Sequence, residues 1–178
     1  SSSAASDVYK RQHFAYAKYS GQGTITARIV RPMSSQWTKP GVMMRESLDA
    51  DSRHASVLLL PHWSGALVTR TVTGGETTTH GARHLGEAHI IKKNRLSTPY
   101  WVRLIRFRNQ FTGYMSPDGV QWQQLGSVEI PMSSTFYVGL PACSQLDKVT
   151  TTVTYDNVSI PLWRCLLYTS PSPRDEQS

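Results

Sequence analysis

The chain is built from short runs in which apolar and polar side chains alternate with a period of two, broken at close intervals by Gly, Pro, Asp or Ser. Successive side chains of an extended strand point to opposite faces, so such runs make half-buried strands. No segment holds an apolar spacing of three to four residues over three helical turns. Residues 14–19, 24–30, 41–47, 54–60, 66–72, 88–92, 100–107, 111–116, 121–128, 136–140 and 149–160 read as strands. Short strands at near-even spacing predict an all-β fold, an antiparallel sandwich or barrel.

The phase of each run says which side chains share a face. Ile25, Ala27 and Ile29 fall on one side, with Thr24, Thr26 and Arg28 on the other. Val102, Leu104 and Arg106 oppose Trp101, Arg103 and Ile105. Residues 57–60 are apolar in both phases, as in a central strand covered on both sides. In the last run Val149, Val153 and Tyr155 lie in one phase and Val158 and Ile160 in the other, which predicts a β-bulge near Asp156 and Asn157. Ser116-Pro117-Asp118-Gly119 is a hairpin connection, because Pro presets the first turn position and Gly supplies positive φ. Residues 73–98 carry four glycines and little pattern, and read as a long variable hairpin or loop.

The two ends are of another kind. Residues 2–12, SSAASDVYKRQ, and 165–175, CLLYTSPSPRD, resemble translated transposase-adapter arms of shotgun DNA libraries. DVYKRQ can be encoded GAT GTG TAT AAG AGA CAG, and the reverse complement of that DNA in a shifted frame encodes LLYTS. Residues 1–12 and 165–178 are therefore expected to be adapter-derived, and such segments are set aside before fold reasoning. The expected domain is 13–164, a size that buries a core without staples. The tails hold three basic and three acidic residues, so the net charge of +7 belongs to the middle. Cys165 falls in the tail, which leaves Cys143 alone, expected as a small buried hydrophobe. No run of eighteen apolar residues is present, so no membrane-spanning helix is expected.

Within 13–164 several motifs stand in one order: GQGTITARIV, GVMMRESLDADSRHASVLLL, PYWVRLIR, FTGYMSPDGVQW, YVGL and DNVSI. Together they resemble bacterial domains of the concanavalin A-like lectin/glucanase superfamily, relatives of laminin-G-like jelly rolls sometimes labelled enolase-regulation-like. The resemblance implies a jelly-roll sandwich. It also implies one or two strands ahead of residues 14–19, without which 149–160 presents an open edge prone to aggregation. Such domains are commonly appended to secreted multidomain bacterial proteins, so an extracellular or cell-surface location and partner domains in the same polypeptide are expected. Fold membership alone does not assign an activity.

The side chains offer several chemistries. Glycoside hydrolysis needs two flanking carboxylates; Glu46 ends a strand, but Asp49 and Asp51 fall in the following turn, and Glu46 is expected to pair with Arg45 or Arg53 or to accept backbone hydrogen bonds. His80, His84 and His89 with Glu87 have an H-x3-H spacing that Gly81 and Gly86 keep off a helix, so a solvated loop is expected and no metal. The Asp49-Ala50-Asp51 turn offers fewer oxygens than calcium takes. Trp37, Trp101 and Trp122 read as packing residues, whereas Trp63, in Pro61-His62-Trp63-Ser64-Gly65, sits in a turn where a ring can stack on a sugar. Lys92, Lys93, Arg95, Arg103, Arg106 and Arg108 read either as a strip for acidic polysaccharide or nucleic acid, or as a solvated face. No nucleic-acid motif, GxGxxG or GxxxxGK[ST] occurs.

These readings favour a non-catalytic carbohydrate-binding or adhesion module. Trp63 is the stacking platform, Arg45 and Arg103 are donors and Glu46 is an orienting acceptor. The ligand is a glycan, with an acidic polysaccharide as one form, and no cofactor, nucleic acid or membrane partner is expected. A glycoside hydrolase using Glu46 and a spacer or partner-docking domain are the alternatives.

Overall fold

The computed structural model describes residues 12–30, 38–60, 64–84, 90–91, 95–96, 99–143 and 152–161. Among them every regular element is a strand. One sheet has six strands in the order β1 (Gln12–Ser20), β12 (Thr135–Cys143), β3 (Gly41–Arg45), β4 (His54–Leu60), β5 (Ser64–Arg70) and β6 (Thr78–His84). The other has five, β11 (Gln123–Glu129), β10 (Gln110–Ser116), β9 (Tyr100–Phe107), β2 (Gly23–Ile29) and β13 (Tyr155–Ser159). A two-strand ribbon of β7 (Ile90–Ile91) and β8 (Arg95–Leu96) stands apart. All pairings within the two sheets are antiparallel. The sheets pack face to face as a jelly-roll sandwich, the fold that the resemblance implies and one of the two that the alternation allows.

The core is where the inward phases meet. Ile25, Ala27 and Ile29 of β2 and Val102 and Leu104 of β9 face Val42 and Met44 of β3, Val57 and Leu59 of β4 and Leu67 of β5, all essentially solvent-free. Phe111, Phe136 and Ile130 fill the middle, and burying each large apolar side chain stabilises the fold by about 1.5–3 kcal/mol. β4 lies inside its sheet between β3 and β5, with Val57 and Leu59 in the core and Leu58 and Leu60 half-buried on the other face rather than fully covered. The bulge is present: the β13–β2 register shifts between Asp156 and Ser159, and Asn157 takes φ 48°. Tyr155 then joins the sheets, its hydroxyl donating to Pro141 O at 2.8 Å and accepting from Gly41 N at 3.0 Å. Burial pushes that phenol far above its ordinary pKa. β13 closes the five-stranded sheet with one neighbour only, so it is an edge strand.

β6 falls at the start of the stretch read as a long variable hairpin or loop, where it pairs antiparallel with β5. Its sequence TTHGARH has no apolar alternation because it is an edge strand, and Thr78, Thr79 and Gly81 are exposed. Gly81 is required there: it has φ 57°, and a Cβ would come within 1.5 Å of Leu125 O on β11. Among the described residues the basic strip does not form one surface. Arg106 points into the sandwich and is only 3% exposed, while Arg103 points outward; Lys92 and Lys93 lie outside the described residues.

Candidate ligand-binding groove

The outward phase of the five-stranded sheet carries polar and aromatic side chains in register. Arg28 is opposite Trp101, Thr26 opposite Arg103 and Thr24 opposite Ile105 across β2 and β9. Tyr114 of β10 is opposite Arg103 on its other side. The β13 bulge shifts the register beside Thr26 and sets Asn157 and Ser159 along one margin. The result is an open groove of about 690 Å³ whose lining includes Thr24, Thr26, Trp101, Arg103, Ile105 and Asn157.

Each part is held locally. The β10–β11 turn is organised by Asp118, whose Oδ1 accepts from Val120 N and Gln121 N at 2.8 Å each and from the Ser116 hydroxyl at 2.9 Å. The backbone N–H groups of Gln121 and Val120, then the Ser116 hydroxyl, hold this carboxylate below its usual range. Gly119, at φ 77°, rests against the Trp101 ring so closely that a Cβ would lie 2.8 Å from Cε2. Trp122 leaves the same turn with its indole N–H on Gly119 O at 3.0 Å. Its ring underlies Arg103, with Cζ 3.7 Å from the ring centroid. Arg103 Nε donates to Thr26 Oγ1 at 3.0 Å. Burial lowers the Arg103 pKa, but arginine remains charged. Arg28 is engaged differently: Nε and Nη2 meet the two Asp156 oxygens at 2.6 and 2.5 Å. Hydrogen bonding to Arg28 lowers the Asp156 pKa in turn.

Of the four residues expected to form a site, the three that are described, Arg45, Glu46 and Arg103, stand on different parts of the sandwich. Arg103 is in the groove. Arg45 belongs to the outer face of the opposite sheet, only 8% exposed, with Nε on Ser47 O at 2.6 Å and Nη2 on Asp49 O. Glu46 follows β3, accepts from Ser133 N at 2.8 Å and stands 3.9 Å from Arg53 Nη1. These are the pairing and backbone contacts expected as its alternative role. Trp63 lies outside the described residues, as do Trp37, His89 and Glu87. His80 meets Thr69 Oγ1 at 3.0 Å. Trp101 and Trp122, expected to pack in the core or cover an edge, are half-buried on the outer face and frame Arg103. The outward phase that Trp101 shares with Arg103 is visible in β9, but nothing in the sequence brings Trp122 against a strand that starts 22 residues earlier.

The same fold occurs in solved structures of remote sequence. A functionally unknown protein from Saccharomyces cerevisiae matches with a TM-score of 0.62 at 18% identity, covering 85% of this chain and 76% of that one. A xylan β-1,4-xylosidase from Bacillus halodurans C-125 matches with a TM-score of 0.60 at 14% identity, over 82% of this chain but 29% of that one. The carbohydrate-binding module CBM66 from Bacillus subtilis matches with a TM-score of 0.53 at 15% identity, over 81% of this chain and 76% of that one. No family model and no curated protein sequence matches the chain. At these identities the likeness establishes the sandwich fold.

Proposed function

We propose that the chain is a non-catalytic carbohydrate-binding module of a larger secreted protein, with its glycan in the groove on the five-stranded sheet. One observation carries this reading: Trp101 and Arg103 line the same groove with Thr24 and Thr26. A flat ring beside fixed hydrogen-bonding groups suits a sugar, whose C–H face packs on the ring while its hydroxyls meet the polar groups. Two of the fold neighbours, a carbohydrate-binding module and a xylosidase, act on or bind carbohydrate by their names. Glu46, the acid considered for hydrolysis, is committed to Ser133 and Arg53 outside the groove.

The test is glycan-array and affinity-electrophoresis binding of the whole chain, its Trp101→Ala variant and its Trp63→Ala variant. Binding that Trp101→Ala abolishes supports the groove. Loss only in Trp63→Ala moves the ligand to the β4–β5 connection. Binding to no glycan ends the module reading, and turnover of a bound glycan that Glu46→Gln removes replaces it with a hydrolase.

A further inference from the structure

We infer that the groove selects an anionic saccharide, whose carboxylate or sulfate group seats on Nη1 and Nη2 of Arg103. The inference rests on the carbohydrate-binding reading above and names its ligand class.

Arg103 is fixed from two sides. Thr26 Oγ1 takes its Nε at 3.0 Å and the Trp122 ring supports its planar face at 3.7 Å. What is left is the outer edge of the guanidinium. Among the described residues neither Nη1 nor Nη2 has a hydrogen-bond partner, and no carboxylate pairs with it. The other arginine of this face makes the comparison: Arg28 has a bidentate partner in Asp156. A guanidinium edge is a fork of parallel N–H donors matched to two oxygens of one planar or tetrahedral anion. Holding that fork in place beforehand removes the ordering cost that a free side chain adds to binding. Among the described residues the groove lining includes no Asp or Glu to neutralise it or repel an anion, and the chain carries a net charge of +7. A neutral sugar offers these N–H groups only uncharged hydroxyl oxygens; an acidic group accepts from both with charge assistance and cancels the charge.

The decisive measurement compares polygalacturonate with its fully methyl-esterified form, and dextran sulfate with dextran, by affinity electrophoresis and tryptophan fluorescence at low and physiological ionic strength. Each pair has one backbone and differs in charge. The native chain is expected to prefer one acidic member by about tenfold or more, as a charge-assisted bidentate pair implies; which pair responds separates carboxylate from sulfate. Arg103→Gln is expected to erase the preference, and Arg103→Lys to recover little of it, because a point charge lacks the fork. Lys18→Gln, an equal change of charge on exposed β1, is expected to leave the preference intact. Far-UV circular dichroism confirms that each variant folds. Equal affinity for the charged and neutral members overturns the inference while the module reading stands. Equal loss in Arg103→Gln and Lys18→Gln overturns it in favour of unspecific charge attraction, as does equally tight binding of a single-stranded oligonucleotide. Binding to none of the four polysaccharides, nor to any array glycan, ends both.

Discussion

The Arg103 guanidinium lies over the Trp122 ring with Cζ 3.7 Å from its centroid. The contact joins the central strand of the five-stranded sheet to the turn that leads into its edge strand β11. A cation over an indole face is worth about 0.5–2 kcal/mol, depending on exposure. Trp122→Ala removes the contact and the ring's hydrogen bond to Gly119 O. It is expected to lower the unfolding free energy by about 1–3 kcal/mol. Urea denaturation measures this, and an unchanged midpoint would show that the ring supports nothing.

Arg106 is a buried cation, and among the described residues no carboxylate pairs with it. Nε donates to Arg108 O at 3.0 Å, Nη1 to Ser133 O at 2.8 Å and Nη2 to Met132 O at 2.7 Å. Its guanidinium also lies 4.6 Å from the Phe136 ring centroid. Burial lowers its pKa, opposed by the nearby Glu46 carboxylate. Arg106→Met leaves three carbonyls short of a donor, and each loss costs about 1–3 kcal/mol where water cannot replace it. The expected loss is about 3–5 kcal/mol, with Arg106→Lys recovering only part, since an ammonium does not reach three acceptors in a fork. A thermal midpoint unchanged in Arg106→Met refutes this role.

His54 sets an acid limit on stability. It lies in register between Arg45 and Arg70, and its Nδ1 is 3.1 Å from Ser56 Oγ. Burial first, then Arg70 and Arg45, lower its pKa from 6.5 to about 4. The unfolded chain therefore binds this proton between pH 6.5 and about 4 while the folded chain does not. Stability from this group is complete above pH 6.5 and falls as the pH drops towards 4, by a total of about 3 kcal/mol. His54→Gln is expected to flatten that part of the pH–stability curve. A native curve already flat from pH 7 to 4 contradicts the assignment.

Gly81 permits the close approach of β6 to β11. Gly81→Ala places a methyl group against Leu125 O and forces an L residue to hold φ 57°. The expected cost is about 2–4 kcal/mol, read as a lower denaturant midpoint. Gly74→Ala, also at positive φ but with open space around it, is expected to cost about 1 kcal/mol from backbone strain alone. Equal effects at the two positions would remove the packing argument.

The strands that cross the core were legible in the linear order of residues. β4 and β9 occupy residues 54–60 and 100–107 as the alternation indicates, because a strand with one face in the core must place an apolar side chain at every second position. The change of phase near Asp156 likewise marked the bulge, since an extra residue is what restores an inward face. β6 was hidden for the converse reason: an edge strand is stabilised by ladder hydrogen bonds and needs little apolar periodicity.

The groove belongs to the tertiary structure. Alternation placed Trp101 and Arg103 on one face, yet Arg45 and Arg103 lie on the two opposite outer faces of the sandwich, and parity along a strand does not say which sheet the strand joins. Arg103 gains its fixed orientation from Thr26, 77 residues earlier, and from Trp122. Arg106 shows the same limit, since two of its three carbonyl partners, Met132 O and Ser133 O, are met only once β9 is docked over the 132–133 segment. Residue pattern along the chain decided which side chains turn inward, because burial of apolar surface is a local choice of face. Strand order and long-range closure decided which polar groups meet, because those contacts exist only after the sheets have packed.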